Sequence, residues 1–351
     1  MRGQPIPIRP RRNVLDFPVP ANGREELTQQ LASRLVGQSH AIADIVPYVQ
    51  MFRAGLGPEG RPAGVFLLLG PTGTGKTRTV EALADALHGS EKNLLRVDCG
   101  EFQMEHEIAK LIGAPPGYLG HRETPPMLTQ QKLGAVTSEG SNLALVLFDE
   151  IEKAAPSMTR LLLGVLDKAV LRLGDNTSVN FERTLIFLTS NLGAPAMGKE
   201  VAQGFGFGAT LPASGEGMLR KLSSIGLSAV KRKFAPEFVN RIDAVITYQP
   251  LDADALEAIL DQQIAALERH IAHRLEERAF GLELDTGARS FLLVKGTSRE
   301  YGARELKRVI LRKLTQPLAE MVEAGLIPPE CVVKVSHQRD SERLALNVLE
   351  N

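Results

Sequence analysis

Five short apolar runs punctuate the first 250 residues, at positions 65–69, 94–97, 145–148, 185–188 and 245–248. Each is continuous rather than alternating, which is the pattern of strands buried on both faces of a parallel sheet. Segments of helical spacing separate several of them. After Lys76, the residues Val80, Leu83 and Leu87 fall on one side of a helix that Gly89 is placed to stop. Upstream, Leu27, Leu31 and Leu35 form a helical stripe that begins near Arg24 and ends at Gly37. Ser39 is placed to cap the next helix, and Pro47 should kink it, because the ring removes one backbone hydrogen bond and clashes with the preceding turn. Strand, helix and strand in succession predict an α/β fold with a doubly wound parallel sheet of five strands.

The pattern changes after Pro250. Leu256, Leu260, Ile264, Leu267, Ile271 and Leu275 recur at intervals of three and four, so one long amphipathic helix is expected over 253–278. A second helix is expected from about Ala303, and segments 332–337 and 344–349 read as a closing hairpin. These elements predict a smaller C-terminal α+β lid. The expected organisation is an arm over residues 1–22, a large α/β domain over 23–249 and the lid over 250–351. In the arm, Arg2, Arg9, Arg11 and Arg12 lie among five prolines, a mixture that neither propagates a helix nor buries apolar area.

Composition narrows the function classes. Lys plus Arg equals Asp plus Glu at 41 each, so no overall field draws the chain to nucleic acid or to an anionic membrane. Hydrophobic residues make 43% of the chain and charged ones 23%, as in ordinary water-soluble domains. The apolar runs are far too short to span a bilayer, and the N-terminus has no signal-type apolar core. Cys99 and Cys331 are too few for a disulfide framework or a cysteine-rich metal site, and both read as small buried hydrophobes. A cytoplasmic protein with no membrane or nucleic-acid partner is the expectation.

The strongest chemical signal follows the first apolar run. Gly70, Pro71, Thr72, Gly73, Thr74, Gly75, Lys76 and Thr77 satisfy the phosphate-loop pattern G-x-x-x-x-G-K-[ST] at every fixed position. Its glycines let successive N–H groups point inward at an anion, and the helix that follows adds its positive end. Lys76 would reach the β- and γ-phosphates of ATP, and Thr77 would hold Mg²⁺ through its hydroxyl. The third run ends in Asp149 and Glu150, placed for a water-mediated Mg²⁺ contact and for accepting a proton from an attacking water. Two acids after a strand can also be mere helix-start residues. Asn191 follows the fourth run, where an amide can orient that water or simply form a turn.

Further motifs occur in order: Gly113-Ala114-Pro115-Pro116-Gly117-Tyr118-Leu119-Gly120, Asp149-Glu150-Ile151-Glu152-Lys153-Ala154, Thr189-Ser190-Asn191, Pro236-Glu237-Phe238-Val239-Asn240-Arg241-Ile242-Asp243 and Tyr301-Gly302-Ala303-Arg304. With the phosphate loop, they make the chain from about Leu31 onward resemble the second ATPase module of the Clp unfoldases and disaggregases, in the AAA+ superfamily. The folded N-terminal domain, first ATPase module and coiled-coil middle domain of those relatives have no counterpart among the 351 residues, so a stand-alone single module is expected.

The resemblance implies a homo-oligomeric ring, usually a hexamer, that hydrolyses ATP between subunits and threads polypeptide through its centre. It implies that Val36 and Gly37 border the adenine, and that Asn191 is the first sensor. Arg241 then matches the arginine finger reaching a neighbour's γ-phosphate, and Arg304 the second sensor closing over its own subunit's nucleotide. Outside their motifs, each arginine would read as a surface ion pair. Gly117, Tyr118, Leu119 and Gly120 match the pore loop, whose mobile aromatic grips side chains of any sequence. Departures from the family are Thr124-Pro125-Pro126 after the pore loop and a loose match of 169–179 to a second pore loop. Protease-linked relatives dock a Clp-type peptidase by an exposed tripeptide with an aliphatic first residue. Phe205-Gly206-Phe207 is the nearest match here, with Ile225-Gly226-Leu227 a poorer one in or beside the helix leading to Phe234, and stand-alone remodelling stands ahead of peptidase docking. The rival readings are an ATP-switched assembly factor or adaptor that does not thread, and a nucleic-acid motor on the same core.

Overall fold

A computed structural model describes residues 22–114, 125–203, 215–297, 302–338 and 341–349. In chain order its strands are β1 (Gly64–Leu69), β2 (Leu95–Asp98), β3 (Ala144–Asp149), β4 (Val170–Arg172), β5 (Ser178–Asn180), β6 (Thr184–Ser190), β7 (Ala244–Thr247), β8 (Gly281–Leu284), β9 (Val332–Ser336) and β10 (Ala345–Leu349). Five of them form a parallel sheet in the order β2-β3-β6-β1-β7. These are the five apolar runs, displaced by no more than two residues at their ends.

The continuous apolar runs have a direct cause in the layers. Val65, Leu67 and Leu69 of β1 face one core together with Val146, Phe148, Ile186 and Leu188. Phe66 and Leu68 face the opposite core with Leu145, Leu147, Leu185 and Phe187. Helices cover both sides, so the strands are apolar along their middles, and the buried polar residues Asp149, Thr184, Thr189, Ser190 and Thr247 stand at strand ends. The first core takes Leu162, Val165 and Leu166 from the Pro156–Lys168 helix and Val230 from the Gly215–Lys233 helix. The second takes Leu27, Leu31, Ile42, Ile45, Val80 and Leu83 from the helices Asn22–Arg34, Ser39–Arg53 and Lys76–His88. Phe66 stacks on Phe187 at 5.2 Å and meets Tyr48 edge-on at 4.9 Å. Each such buried side chain contributes about 1.5–3 kcal/mol.

One local expectation changes. Ser39 is the first helical residue rather than the cap; Gln38 occupies the cap position and makes no side-chain capping bond, its Oε1 accepting instead from Gln249 N. The Ser39–Arg53 helix continues past Pro47. Its buried face, from Ala41 to Val49, holds it against the sheet by more than one lost backbone bond costs. Gly89 does end the Lys76–His88 helix, in a left-handed conformation with its N–H on Asp85 O.

Beyond 250, the Ala253–Leu275 helix continues into a 3₁₀ turn, Glu276–Arg278. Asp252 caps its start by accepting from Ala255 N at 2.8 Å. The hairpin of β9 and β10 is present, with β8 added parallel to β9 to make three strands. The sequence pattern had not disclosed β8 or the Thr286–Gly296 helix. A separate core, centred on Leu260, Leu292, Leu306, Leu314 and Val333, joins these elements. Segment 169–179 carries the antiparallel pair β4–β5. Ile225-Gly226-Leu227 lies within the Gly215–Lys233 helix, where a Cβ on Gly226 would come within 2.7 Å of Met197 Cε. Phe205, Gly206 and Phe207 lie outside the described residues. Cys99 and Cys331 are both buried, and burial pushes the Cys99 thiol pKa far up, so it is no nucleophile.

Candidate active site

The carboxyl ends of β3, β6 and β1 stand side by side, and each delivers one polar group to a common crevice. β1 runs into the loop 70–75. Gly70 has φ 148°, and a Cβ there would lie 2.7 Å from Tyr248 O, so the chain can leave β1 beside the end of β7 only as glycine. The loop delivers Lys76 to a buried position, where its Nζ donates to Gly70 O at 2.7 Å, Pro71 O at 2.8 Å and Asn191 Oδ1 at 2.8 Å. Burial lowers the Lys76 pKa to about 8; Arg304 acts in the same sense, while Glu152, Asp149 and Glu150 oppose it.

Asp149 closes β3. Its Oδ1 accepts from the Thr189 hydroxyl, and its Oδ2 accepts from Arg96 Nη2 at 2.5 Å. Thr189 Oγ1 also accepts from Glu150 N at 3.0 Å, so one hydroxyl of β6 sets both carboxylate residues. Glu150 adopts φ 56° and ψ 50°, a left-handed conformation uncommon for a residue with a side chain. Its Oε1 accepts from Asn191 Nδ2 at 3.2 Å, and its Oε2 pairs with Lys153 Nζ at 2.5 Å. The Asn191 backbone is held in turn, its N–H on Glu152 Oε1 at 3.0 Å. Asn191 thus stands between ammonium and carboxylate, with its carbonyl toward Lys76 and its amide toward Glu150.

The C-terminal unit closes the crevice. Ala303 N donates to Gly73 O at 3.1 Å, and a Cβ on Gly302, at φ 50°, would meet the same oxygen at 2.9 Å. Glycine there permits backbone to lie on backbone, and this brings Arg304 into the lining. On the other flank Gln38, 1% exposed, donates to Thr74 O at 3.1 Å and to Gln249 O at 3.0 Å. A Cβ on Gly37, at φ 75°, would lie 3.3 Å from Ala255 Cβ and 3.4 Å from Leu251 Cδ2 of the C-terminal unit.

These walls enclose about 270 Å³. Val36, Thr72, Gly73, Thr74, Gly75, Lys76, Thr77, Asp149, Glu150, Asn191 and Arg304 all line it; Gly37, Gly70 and Pro71 stand behind that lining. Arg34, Lys76, Arg78, Arg96, Arg304 and Lys307 outnumber Glu81, Asp149 and Glu150 six to three, which suits a polyanion. Arg241 is not in this lining. It follows the Pro236–Val239 helix and forms an ion pair with Asp167 Oδ1 at 2.8 Å, at an angle that makes no hydrogen bond. Gly117, Tyr118, Leu119, Gly120 and Tyr301 lie outside the described residues.

Four contributors carry no sequence signature of their own: Gln38, Arg96, Lys153 and Thr189. Thr189 and Lys153 sat inside recognised motifs, where position relative to Asp149 and Glu150 was the available signal. Gln38 and Arg96 had none, because their roles depend on which strands and loops become neighbours.

Comparison with known proteins agrees with the geometry. Residues 61–245 match the family model described as the AAA domain of the Cdc48 subfamily. The chain belongs to the AAA+ ATPase family. Residues 251–335 match the C-terminal D2-small domain of ClpB, so this AAA+ chain is of the ClpB second-module type. It is 40% identical over 304 residues to the chaperone protein ClpB of Rhodopseudomonas palustris, covering 86% of this chain and 32% of that one. It is 38% identical over 302 residues to the chaperone protein ClpB of Meiothermus ruber, covering 85% of this chain and 32% of that one. The chain therefore spans about a third of the length of these curated relatives. A closed-state cryo-electron-microscopy reconstruction of Hsp104 with ATPγS and FITC-casein has a TM-score of 0.75 and 27% identity to it, over 93% of this chain and 51% of that one. As a member of the AAA+ family, the chain binds nucleotide. No helix among the described residues is long and apolar enough to cross a membrane.

Proposed function

We propose that this AAA+ chain is an ATP-driven protein unfoldase or remodeller, working as a homo-oligomeric, hexameric ring that pulls polypeptide with Tyr118. The observation that carries the reading is the hydrogen-bonded series Lys76–Asn191–Glu150 beside Asp149, which joins a phosphate-binding cation, a water-orienting amide and a base in one cationic cleft. The large unit is taken as residues 23–249 and the lid as 250–351, a division supported by family matches that meet between 245 and 251.

The residues fit ATP and Mg²⁺. Lys76 is a buried ammonium whose partners are backbone carbonyls and one amide, so a phosphate oxygen can replace them with gain of charge pairing. Thr77 and Asp149 line the same wall and would hold Mg²⁺, Asp149 through water. Bound Mg²⁺ supplies charge neutralisation on the phosphates. The chain's own residues do the rest. Glu150 accepts the proton of the attacking water at a carboxylate oxygen, and Asn191 keeps that oxygen turned toward the phosphate side. Lys76 and Arg304 offset negative charge as it moves to the leaving oxygen, where fixed cations are most effective. Arg241, outside its own cleft, is proposed to complete a neighbour's.

Polypeptide is favoured as the substrate because the Hsp104 reconstruction that this chain resembles contains FITC-casein, and because overall charge is balanced. The test is unfolding of a tagged, stably folded fluorescent reporter. Wild-type protein with ATP should extinguish its fluorescence, while Tyr118→Ala should keep most of the ATPase and lose the unfolding. Equal unfolding by both would remove Tyr118 from the mechanism, and no unfolding by wild type would leave an ATP-switched assembly factor as the better reading.

A further inference from the structure

Both carboxylates at the end of β3 are already engaged by a cation of the chain itself, Glu150 by Lys153 and Asp149 by Arg96. The Arg96 contact has a consequence for metal loading. Arg96 comes from β2, the edge strand next to β3, where it pairs in register with Leu147. Its side chain runs forward along the sheet to the carboxyl end and donates to Asp149 Oδ2 at 2.5 Å. Thr189 fixes the other oxygen, so the outward oxygen of Asp149 is the one Arg96 covers. The Asp149 side chain is only 12% exposed, while that of Arg96 is 50% exposed. The carboxylate is therefore held from the buried side by Thr189, while the guanidinium borders solvent.

We propose that Arg96 is an intramolecular stand-in for Mg²⁺, a counter-ion of Asp149 that the metal must displace and that sets the Mg²⁺ concentration at which the nucleotide site loads. This rests on the reading of the cleft as a Mg²⁺–ATP site. A guanidinium and a hydrated divalent cation compete for the same carboxylate oxygen, and their like charges oppose joint occupancy. A carboxylate this buried is costly to leave without a counter-ion, so Arg96 keeps the pocket folded when Mg²⁺ is scarce. Displaced from Asp149, Arg96 remains in the lining of a cleft built for a polyanion. Among the described residues its side-chain hydrogen bond is to Asp149 alone, and its part is that of a positioning residue.

Binding rather than turnover reads this out. A fluorescent, non-hydrolysable ATP analogue is titrated against full-length wild type, Arg96→Gln and Arg96→Lys at a series of buffered free Mg²⁺ concentrations. With Arg96→Gln, the Mg²⁺ midpoint for analogue binding should fall by about three- to fivefold, the scale expected for losing a partly exposed charge pair. Arg96→Lys should lie between, since an ammonium keeps the charge without the planar fork. Identical Mg²⁺ midpoints in the three proteins would overturn the proposal, as would a uniform loss of affinity without a midpoint shift, which would make Arg96 a phosphate contact only. Failure of wild type to bind the analogue at any Mg²⁺ concentration is a separate result, and it would remove the nucleotide-site reading on which the proposal stands.

Discussion

Lys76 is held at a pKa of about 8 mainly because it is buried, and this has two pH consequences of definite sign. The unfolded chain keeps the ordinary lysine value, so between about 8 and 10.5 it binds more protons than the native state. Native stability contributed by this group therefore rises with pH across that window. Nucleotide binding moves the other way. A phosphate beside Lys76 favours the ammonium, so binding above pH 8 takes up a proton and affinity should fall by up to about tenfold per pH unit. Titration calorimetry in buffers of different ionisation enthalpy measures that proton; zero uptake at pH 9 would place the phosphates away from Lys76. At Glu150 the expectation concerns rate rather than affinity. Glu150→Gln should bind ATP, since Lys76, Thr77 and Asp149 are intact, and hydrolyse it about 10²–10⁴-fold more slowly. Near wild-type turnover in single-turnover kinetics would reassign the base.

The elements divide the labour between rigid strands and short turns. β1, β3 and β6 are buried along their whole length, and that rigidity is what gives the loop 70–75, Asp149 and Asn191 fixed spacing. Among the described residues, the lid meets the phosphate loop at Gly302 against Gly73 O and at Ala303 N on the same oxygen. Gly302→Val places a branched side chain where even a Cβ has only 2.9 Å, at a positive φ. Local strain of about 1–3 kcal/mol should push the lid away, so that nucleotide affinity falls roughly 10- to 100-fold. The separate core of the lid is untouched, so the circular dichroism spectrum should be unchanged; wild-type affinity in Gly302→Val would show that the lid does not need this approach. The helix through Pro47 makes a complementary point. Its proline predicted a kink from local chemistry; the helix continues past it to Arg53, with the buried row from Ala41 to Val49 offsetting one missing bond.

At the scale of the whole molecule, one chain presents a cleft with its own lysine and lid arginine, and a second arginine, Arg241, directed elsewhere onto Asp167. If Arg241 serves a neighbouring subunit, Arg241→Ala should lower kcat by roughly 10³-fold or more. Mixing Arg241→Ala with Lys76→Ala subunits should then recover activity at interfaces where an intact arginine meets an intact pocket. No recovery in rings shown to be mixed would count against supply between subunits. Much of this was legible in the chain. The five core strands were readable because a sheet buried on both faces demands unbroken apolar runs, and the phosphate loop because its glycines and lysine are contiguous. β8 was not, since Gly281–Leu284 is only partly buried and becomes a strand by pairing with β9, about fifty residues away. Nor was the use of Gln38, whose amide joins the phosphate loop to Gln249. The sequence by itself determined which residue types were available for phosphate, metal and proton chemistry, since those depend on side-chain identity at short spacing. Only the tertiary structure decided that Asn191 stands between Lys76 and Glu150, and that Arg96 faces Asp149. Those relations follow from the strand order β2-β3-β6-β1-β7, which is settled by how the helices pack on the sheet and not by any neighbour along the chain.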